Sequence, residues 1–309
     1  MNHPPTAPDA PRTATVVAPT STASVAPVAH PAPCFLQRVL ASRVNVACLL
    51  FLGILAVVAL FAPLLAPYPQ SMQNLTNSFA TPLSDGHLLG TDHLGRDVLS
   101  RLIYSTRVSL LAPLLAVAVA SVIGVPLGLI AGFVGGKLDW VLSRLADALI
   151  ALPALVVALA LIGALGPSLT NAMIAVGIAY APVVLRIVRG QALAVRSETY
   201  IEAATVVGCS TFRTLRVHVL PNVRSPLLVT ISLLMGHALL TEAALSFLGM
   251  GVQPPGASWG SMLRTASENT FSGPWLPWFP GIAIVLTVLA LNLLGDGVRD
   301  AIGRERSTR

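Results

Sequence analysis

Four groups of residues have the types and spacing that chemistry uses. Gly256-Ala257-Ser258-Trp259-Gly260 matches the G-x-S-x-G nucleophile elbow, with His237 as a base for Ser258. That elbow needs a strand in front of it, and Gln253-Pro254-Pro255 is not a segment that such a strand would show. An intramembrane serine hydrolase on Ser258 and His237 therefore stands only as the enzymatic alternative. His87, Asp92, His93 and Asp97 lie in one segment and offer nitrogen and oxygen donors suited to nickel or zinc. Helix capping and ion pairing at a membrane surface account for the same residues without a metal. Lys137, the only lysine, follows Gly135-Gly136, whereas a phosphate-binding P-loop reads G-x-x-x-x-G-K-[ST]. Ala131 stands where its first glycine should be and Leu138 where its Ser or Thr should be, so this route to ATP hydrolysis is closed. Glu242 is the one acid well inside an apolar run. Such a group either faces a water-filled path or braces a neighbouring helix. Asp147, at the end of another run, reads as interfacial.

The elements that must hold these residues are membrane spans. Of the 309 residues, 54% are hydrophobic and only 10% charged, and the mean hydropathy is +0.77. Soluble domains carry about 25% charged residues, so most of this chain has no water to face. The net charge of +6 is spread between apolar runs and makes no continuous patch for nucleic acid. Cys34, Cys48 and Cys209 have neither a disulfide pattern nor zinc-ligand spacing. Crossing a bilayer core of about 30 Å takes roughly 20 apolar helical residues. Six runs qualify, at about 46–66, 108–133, 149–166, 172–188, 226–248 and 280–294. With the N-terminus inside, 15 of the 19 Lys and Arg residues fall on inner segments. Only Arg96, Arg101, Arg107 and Arg264 fall outside, so both termini are expected in the cytoplasm.

Residues 1–34 are rich in Pro, Ala and Thr and are expected to form a disordered cytoplasmic tail. The long outer segment 67–107 ends in Leu94, Val98, Leu99, Leu102 and Ile103 at helical spacing, with Asp97 and Arg101 as an i, i+4 pair. This predicts an amphipathic helix on the outer membrane surface, capped by Thr91 or Asp92, that leads into span two. The inner segment 186–224 is expected to hold two short helices. Thr199 and Glu202 fit a capping box, and Gly208 suits a left-handed helix terminus. A second helix over 211–219 carries Phe212, Leu215 and Val219 on one stripe, and Leu220-Pro221-Asn222 is expected to end it. On pattern alone the product is either an ordinary amphipathic loop on the membrane or an elbow exposing an apolar stripe.

Glu202-Ala203-Ala204, Gly208 and Leu220-Pro221 resemble the EAA loop of permeases of ATP-binding-cassette (ABC) importers. The broad pattern has an apolar residue where this chain has His218. Histidine there is common in the dipeptide/oligopeptide/nickel branch. The C-type subunit of that branch is also similar at Gly90 to Leu102, at Glu242 to Gly249, at Trp259-Gly260-Ser261-Met262 and at Asn292 to Asp300. The resemblance runs from about Phe35 to the C-terminus.

It implies an all-α, six-span polytopic fold of the type I importer class in the bacterial inner membrane. On this reading residues 35–107 hold the first span and the outer segment, and 108–297 hold the permease core with a coupling loop at about 190–224. Residues 298–309 are a cytoplasmic tail. The implied coupling residues are Glu202, Ala203, Ala204, Gly208, His218, Leu220 and Pro221; Asp92, Arg96 and Asp97 sit in the outer segment. No catalytic residue, metal or cofactor is expected on the chain. Its implied partners are a second, similar permease, two ATPase subunits that bind ATP, and an extracytoplasmic binding protein. Peptides, nickel or related small solutes are the implied cargo. A proton-coupled carrier, the rival transport reading, would need more ionisable groups than Glu242 supplies.

Overall fold

The structure, a computed structural model, describes residues 35–84 and 86–307. The expected tail 1–34, with Cys34, lies outside them. Twelve α-helices carry the described chain, which contains no strand beyond two isolated bridges. They are α1 (Phe35–Leu40), α2 (Arg43–Leu60), α3 (Ala62–Leu65), α4 (Val98–Val134), α5 (Gly136–Ile150) and α6 (Ala154–Leu165), followed by α7 (Leu169–Arg196), α8 (Thr199–Val206), α9 (Thr211–Thr214), α10 (Leu220–Phe247), α11 (Trp259–Glu268) and α12 (Trp278–Ser307). Five stretches are long and apolar enough to cross a bilayer: α2, α4, α7, the run Thr211–Phe247, and α12.

The run expected as span three is not a straight helix. α5 and α6 meet at 95°. Pro153 disfavours helical backbone at Leu152, and it cannot donate the amide that would continue α5. α6 keeps 12 residues, too few to cross alone. Only as a bent pair do α5 and α6 make a sixth span.

The centre of the bundle is the pairing of α4 with α7, the most extensive in the molecule. Along α4, Ala112, Ala116, Ala120, Gly124, Gly128 and Gly132 recur at every fourth position, and all are buried. A Cβ at Gly124 would lie 2.6 Å from the Ala181 carbonyl oxygen, and one at Gly128 would lie 2.7 Å from that of Leu185. The backbones are in van der Waals contact, which is how helices associate where no hydrophobic force acts between them. Around this seam α6 and α10 complete one core containing Ile162, Met173, Val184, Val188, Val219 and Leu245. α12 packs on α10, where Asn292 Oδ1 would be 2.5 Å from a Cβ at Gly236. α2 lies at the rim with 11% of its apolar stretch buried.

One end of the bundle carries a cap made of segment 67–97 and α11, with Val98, Ala257, Met262, Ala266 and Leu276 as its small core. The amphipathic helix expected to lie flat here does not form as a separate element. It is the first turns of α4, continuous from Val98 to Val134, because the proposed boundary at 107 has neither a breaker nor a cap. The boundary at 297 likewise falls inside α12. The opposite end carries α8 and α9, here called the elbow.

Candidate functional site: elbow and cap

The elbow starts where α7 ends and α8 turns off it. Ile201 is buried against the main core, while Glu202 and Ala203 are exposed and Ala204 is half-buried. The Cys209 amide donates to the Ala204 carbonyl at 3.0 Å across Gly208, whose φ is +85°. This is the six-to-one closure of a helix end that glycine permits, as expected at Gly208. Ser210 then caps α9 by accepting from the Arg213 amide.

The second helix does not stop at Leu220-Pro221. α9 passes through a π turn, Leu215–Val219, straight into α10. A proline ring at 221 would collide with the carbonyl four residues back in a regular helix. The π turn relieves this: the Leu220 amide reaches back to Leu215, and Pro221 falls in the first turn of α10. The expected stripe is divided as well. Val219 is fully buried and Leu215 packs on the core, so of the three only Phe212 is exposed. The apolar surface that the elbow presents is instead Val206 (87% exposed), Val207 (85%) and Phe212 (74%). His218 is half-buried, its ring 6.0 Å from that of Tyr200 on α8. Asn222 donates to the His218 carbonyl at 2.8 Å and to the Tyr200 hydroxyl at 3.2 Å. The Asn222 side chain thus links Tyr200 of α8 to the base of α10, with the His218 ring beside Tyr200. Leu220 is half-buried and Pro221 exposed.

In the cap, Asp97 and not Thr91 or Asp92 caps α4, with Oδ2 accepting from the Ser100 amide at 2.7 Å. Its Oδ1 faces His87 Nδ1 at 2.9 Å. The expected Asp97–Arg101 pair is absent: the Arg101 guanidinium lies 3.6 Å from Asp92, which also holds Arg96 at 2.8 Å. Asp92 Oδ1 accepts from the amides of Leu94 and Arg96, and the Thr91 hydroxyl accepts from the Ala80 amide. Of the proposed metal set, Asp92 is taken up by arginine and backbone amides and Asp97 by His87 and the Ser100 amide, and no group of three or more such residues that could hold a metal ion occurs among the described residues. His93 leaves Nδ1 buried without a partner. Burial holds its imidazole below the ordinary value of 6.5, against the opposing pull of Asp92.

Ser258 and His237 are not brought together. Ser258 is fully buried and caps α11, accepting from the Ser261 amide, while His237 lies on an exposed face of α10. Glu242, on α10, is fully buried; Oε1 accepts from Ser246 at 2.7 Å and Oε2 has no partner among the described residues. Nearby, the Trp259 amide donates to Ser109 of α4 at 3.1 Å, and a Cβ at Gly260 would lie 2.7 Å from the Cα of Ala243. The start of α11 is thus locked onto α10 and α4. Asp147 pairs with Arg186 and Asp139 with Arg189, which ties α5 to α7.

Comparison with known proteins gives this geometry its context. In fold, the chain is similar to the permease of the inward-facing methionine ABC transporter MetNI, with a TM-score of 0.55 at 18% identity, over 65% of this chain and 95% of that one. Among sequences, it is 43% identical to a di/tripeptide transport system permease of Pseudomonas aeruginosa, over 82% of this chain and 86% of the relative. It is 40% identical to a probable D,D-dipeptide transport system permease of Escherichia coli, over 84% and 87%. It is also 40% identical to a glutathione transport system permease of Pectobacterium atrosepticum, over 87% and 89%. Residues 35–82 match the N-terminal transmembrane domain of oligopeptide transport permease C. With residues 124–308 matching the family profile as well, the chain belongs to the binding-protein-dependent transport system inner membrane components.

Proposed function

We propose that this permease forms half of the path of an ABC importer for small peptides, paired with a second, similar subunit. ATP is bound and hydrolysed by separate subunits that dock on the elbow, and an extracytoplasmic binding protein delivers cargo to the cap. The observation that carries the docking surface is the bare apolar tip Val206-Val207-Phe212, which projects from an elbow whose base is packed into the core. A soluble partner that covers this tip removes its apolar area from water. The arginine asymmetry supports placing the elbow and both termini in the cytoplasm. Lys137 lies in no phosphate cradle, which supports ATP binding on a partner. The three relatives named above are described as permeases for dipeptides, tripeptides and glutathione, and this supports peptides over nickel as cargo. Exposed Glu202 and Ala203, with half-buried Ala204, contribute the acidic and small-residue side of the same surface. Glu242 is read as a brace for α11 and not as a lining of the path, supported by its complete burial.

The test is charge reversal at Glu202. Glu202→Lys should abolish ATP-driven peptide uptake by the reconstituted transporter while the subunit still accumulates in the membrane. Uptake persisting at the parent rate would refute elbow docking through this surface.

A further inference from the structure

Two hydroxyl side chains and a backbone carbonyl meet beside an exposed histidine on the outside of the bundle, at a depth where a lipid-facing surface carries no polar group. Tyr180 lies midway along the apolar run 172–188 of α7, and His237 lies midway along the run 226–248 of α10. The two midpoints are joined. The Tyr180 hydroxyl and Thr241 Oγ1 are 2.8 Å apart, and both approach the His237 carbonyl, at 3.4 Å and 2.9 Å. His237 is exposed, while Tyr180 and Thr241 are half-buried. Glu242, the next residue after Thr241, is by contrast fully buried and accepts from Ser246.

The contrast with the rest of the surface is chemical. The exposed stripe of α12 is Ile282, Val285, Leu286 and Leu289, without a polar atom among its side chains. An ionisable side chain at mid-bilayer depth is costly in hydrocarbon and is found facing a bundle interior or a water-filled cavity. On a subunit that supplies half of a path, an exposed mid-membrane histidine therefore marks the half that faces water.

The hydrogen-bond inventory says what this patch can still bind. One of the two hydroxyls donates to the His237 carbonyl and the other donates to its neighbouring hydroxyl, so both hydroxyl protons are used within the patch. What remains is the His237 imidazole, with one donor and one acceptor, and the free lone pair of the Tyr180 oxygen. A peptide amide presents the matching acceptor and donor. We propose that Tyr180, His237 and Thr241 line the translocation path at mid-membrane, with the His237 ring contacting the backbone of a passing peptide. This rests on the importer reading above.

A cysteine at position 237, in a variant with Cys34, Cys48 and Cys209 replaced by alanine, tests it in the assembled transporter in native membranes. The probe is sulfonatoethyl methanethiosulfonate, which is small, charged and excluded from lipid. His237→Cys should react about tenfold faster than Leu289→Cys in the same background, because only a thiol in water forms the reactive thiolate. Equal, slow labelling at both positions would place His237 against lipid or a dry interface and overturn the proposal. In a second arm, peptide uptake should survive His237→Gln, which keeps a donor and an acceptor, and fall at least severalfold in His237→Leu. Unchanged uptake in His237→Leu would remove the peptide contact even if the site is wet. Uptake by the parent transporter reports on the importer reading separately, since labelling at 237 is read whether or not peptide moves.

Discussion

Replacing Gly208 with alanine separates backbone strain at the elbow from every other effect. Nothing lies within 4 Å of a Cβ placed on Gly208, so alanine introduces no clash and removes no contact. Its φ of +85° is the whole difficulty. An L-residue held in the left-handed region costs roughly 1–2 kcal/mol, which shifts a two-state population about five- to thirtyfold. The structure to be lost is the Cys209–Ala204 closure, and with it the placement of Val206 and Val207 relative to Phe212. Binding of the purified ATPase subunit to the reconstituted permease pair should therefore weaken about five- to thirtyfold in Gly208→Ala, with uptake falling in parallel. Asparagine tolerates the left-handed region, so Gly208→Asn should bind within about threefold of the parent. The comparison guards against a hidden clash with the docked partner, because asparagine is the bulkier residue. Alanine binding like the parent, or asparagine binding no better than alanine, would refute the claim that the left-handed closure presents the docking surface.

Other outcomes can be checked independently. Gly128→Val should destabilise the purified subunit by about 1–3 kcal/mol or more through overpacking against Leu185 and Val188. Gly190→Val on α7, where nothing lies within 4 Å, should leave the thermal midpoint near the parent's. Glu242→Gln keeps the acceptor for Ser246 and should transport normally, whereas Glu242→Ala strands that buried hydroxyl and should cost about 1–3 kcal/mol. Loss of transport in a stable, assembled Glu242→Gln would show instead that an ionisable acid is required. For His93 the folded imidazole lies below its ordinary 6.5, so the unfolded cap binds more protons as pH falls. Stability from this group is complete above about 6.5 and declines below it as the folded value is approached. Protection factors of the amides at 90–97, after correction for the intrinsic slowing of exchange at low pH, should fall on acidification in the parent and less so in His93→Gln; identical profiles would remove His93 from the account.

What the sequence made legible was whatever local chemistry decides. The left-handed terminus at Gly208 and the exposure of Glu202 follow from short-range pattern. The cap of α4 does not, because Thr91, Asp92 and Asp97 are all good caps and tertiary partners decide among them. Asp92 is claimed by Arg96 and Arg101, Thr91 by Ala80, and Asp97 is left for Ser100. Sequence shows that a proline's amide is missing but not how the backbone adapts. At Pro153 the chain bends by 95°, whereas at Pro221 a π turn absorbs the ring and the helix continues. The α4–α7 seam was legible in principle, since six small residues at four-residue spacing from Ala112 to Gly132 are a helix-packing signature. The patch at Tyr180 and His237 was not, because it depends on which face of each helix the bundle leaves bare.

The passage of α9 into α10 without a break has a mechanical consequence. The 37 residues from Thr211 to Phe247 form one helical shaft, about 55 Å long at ~1.5 Å per residue. Its foot carries Phe212 and its head carries Glu242, Ala243 and Ser246, against which the start of α11 is locked. A tilt of about 5° around the middle of such a shaft moves each end by about 2 Å, in opposite directions. The fulcrum of that motion falls near Val229, about 12 Å along the shaft from His237. A push on the elbow would thus reach the cap as leverage through one continuous helix, with a displacement of about 1 Å at the level of the polar patch.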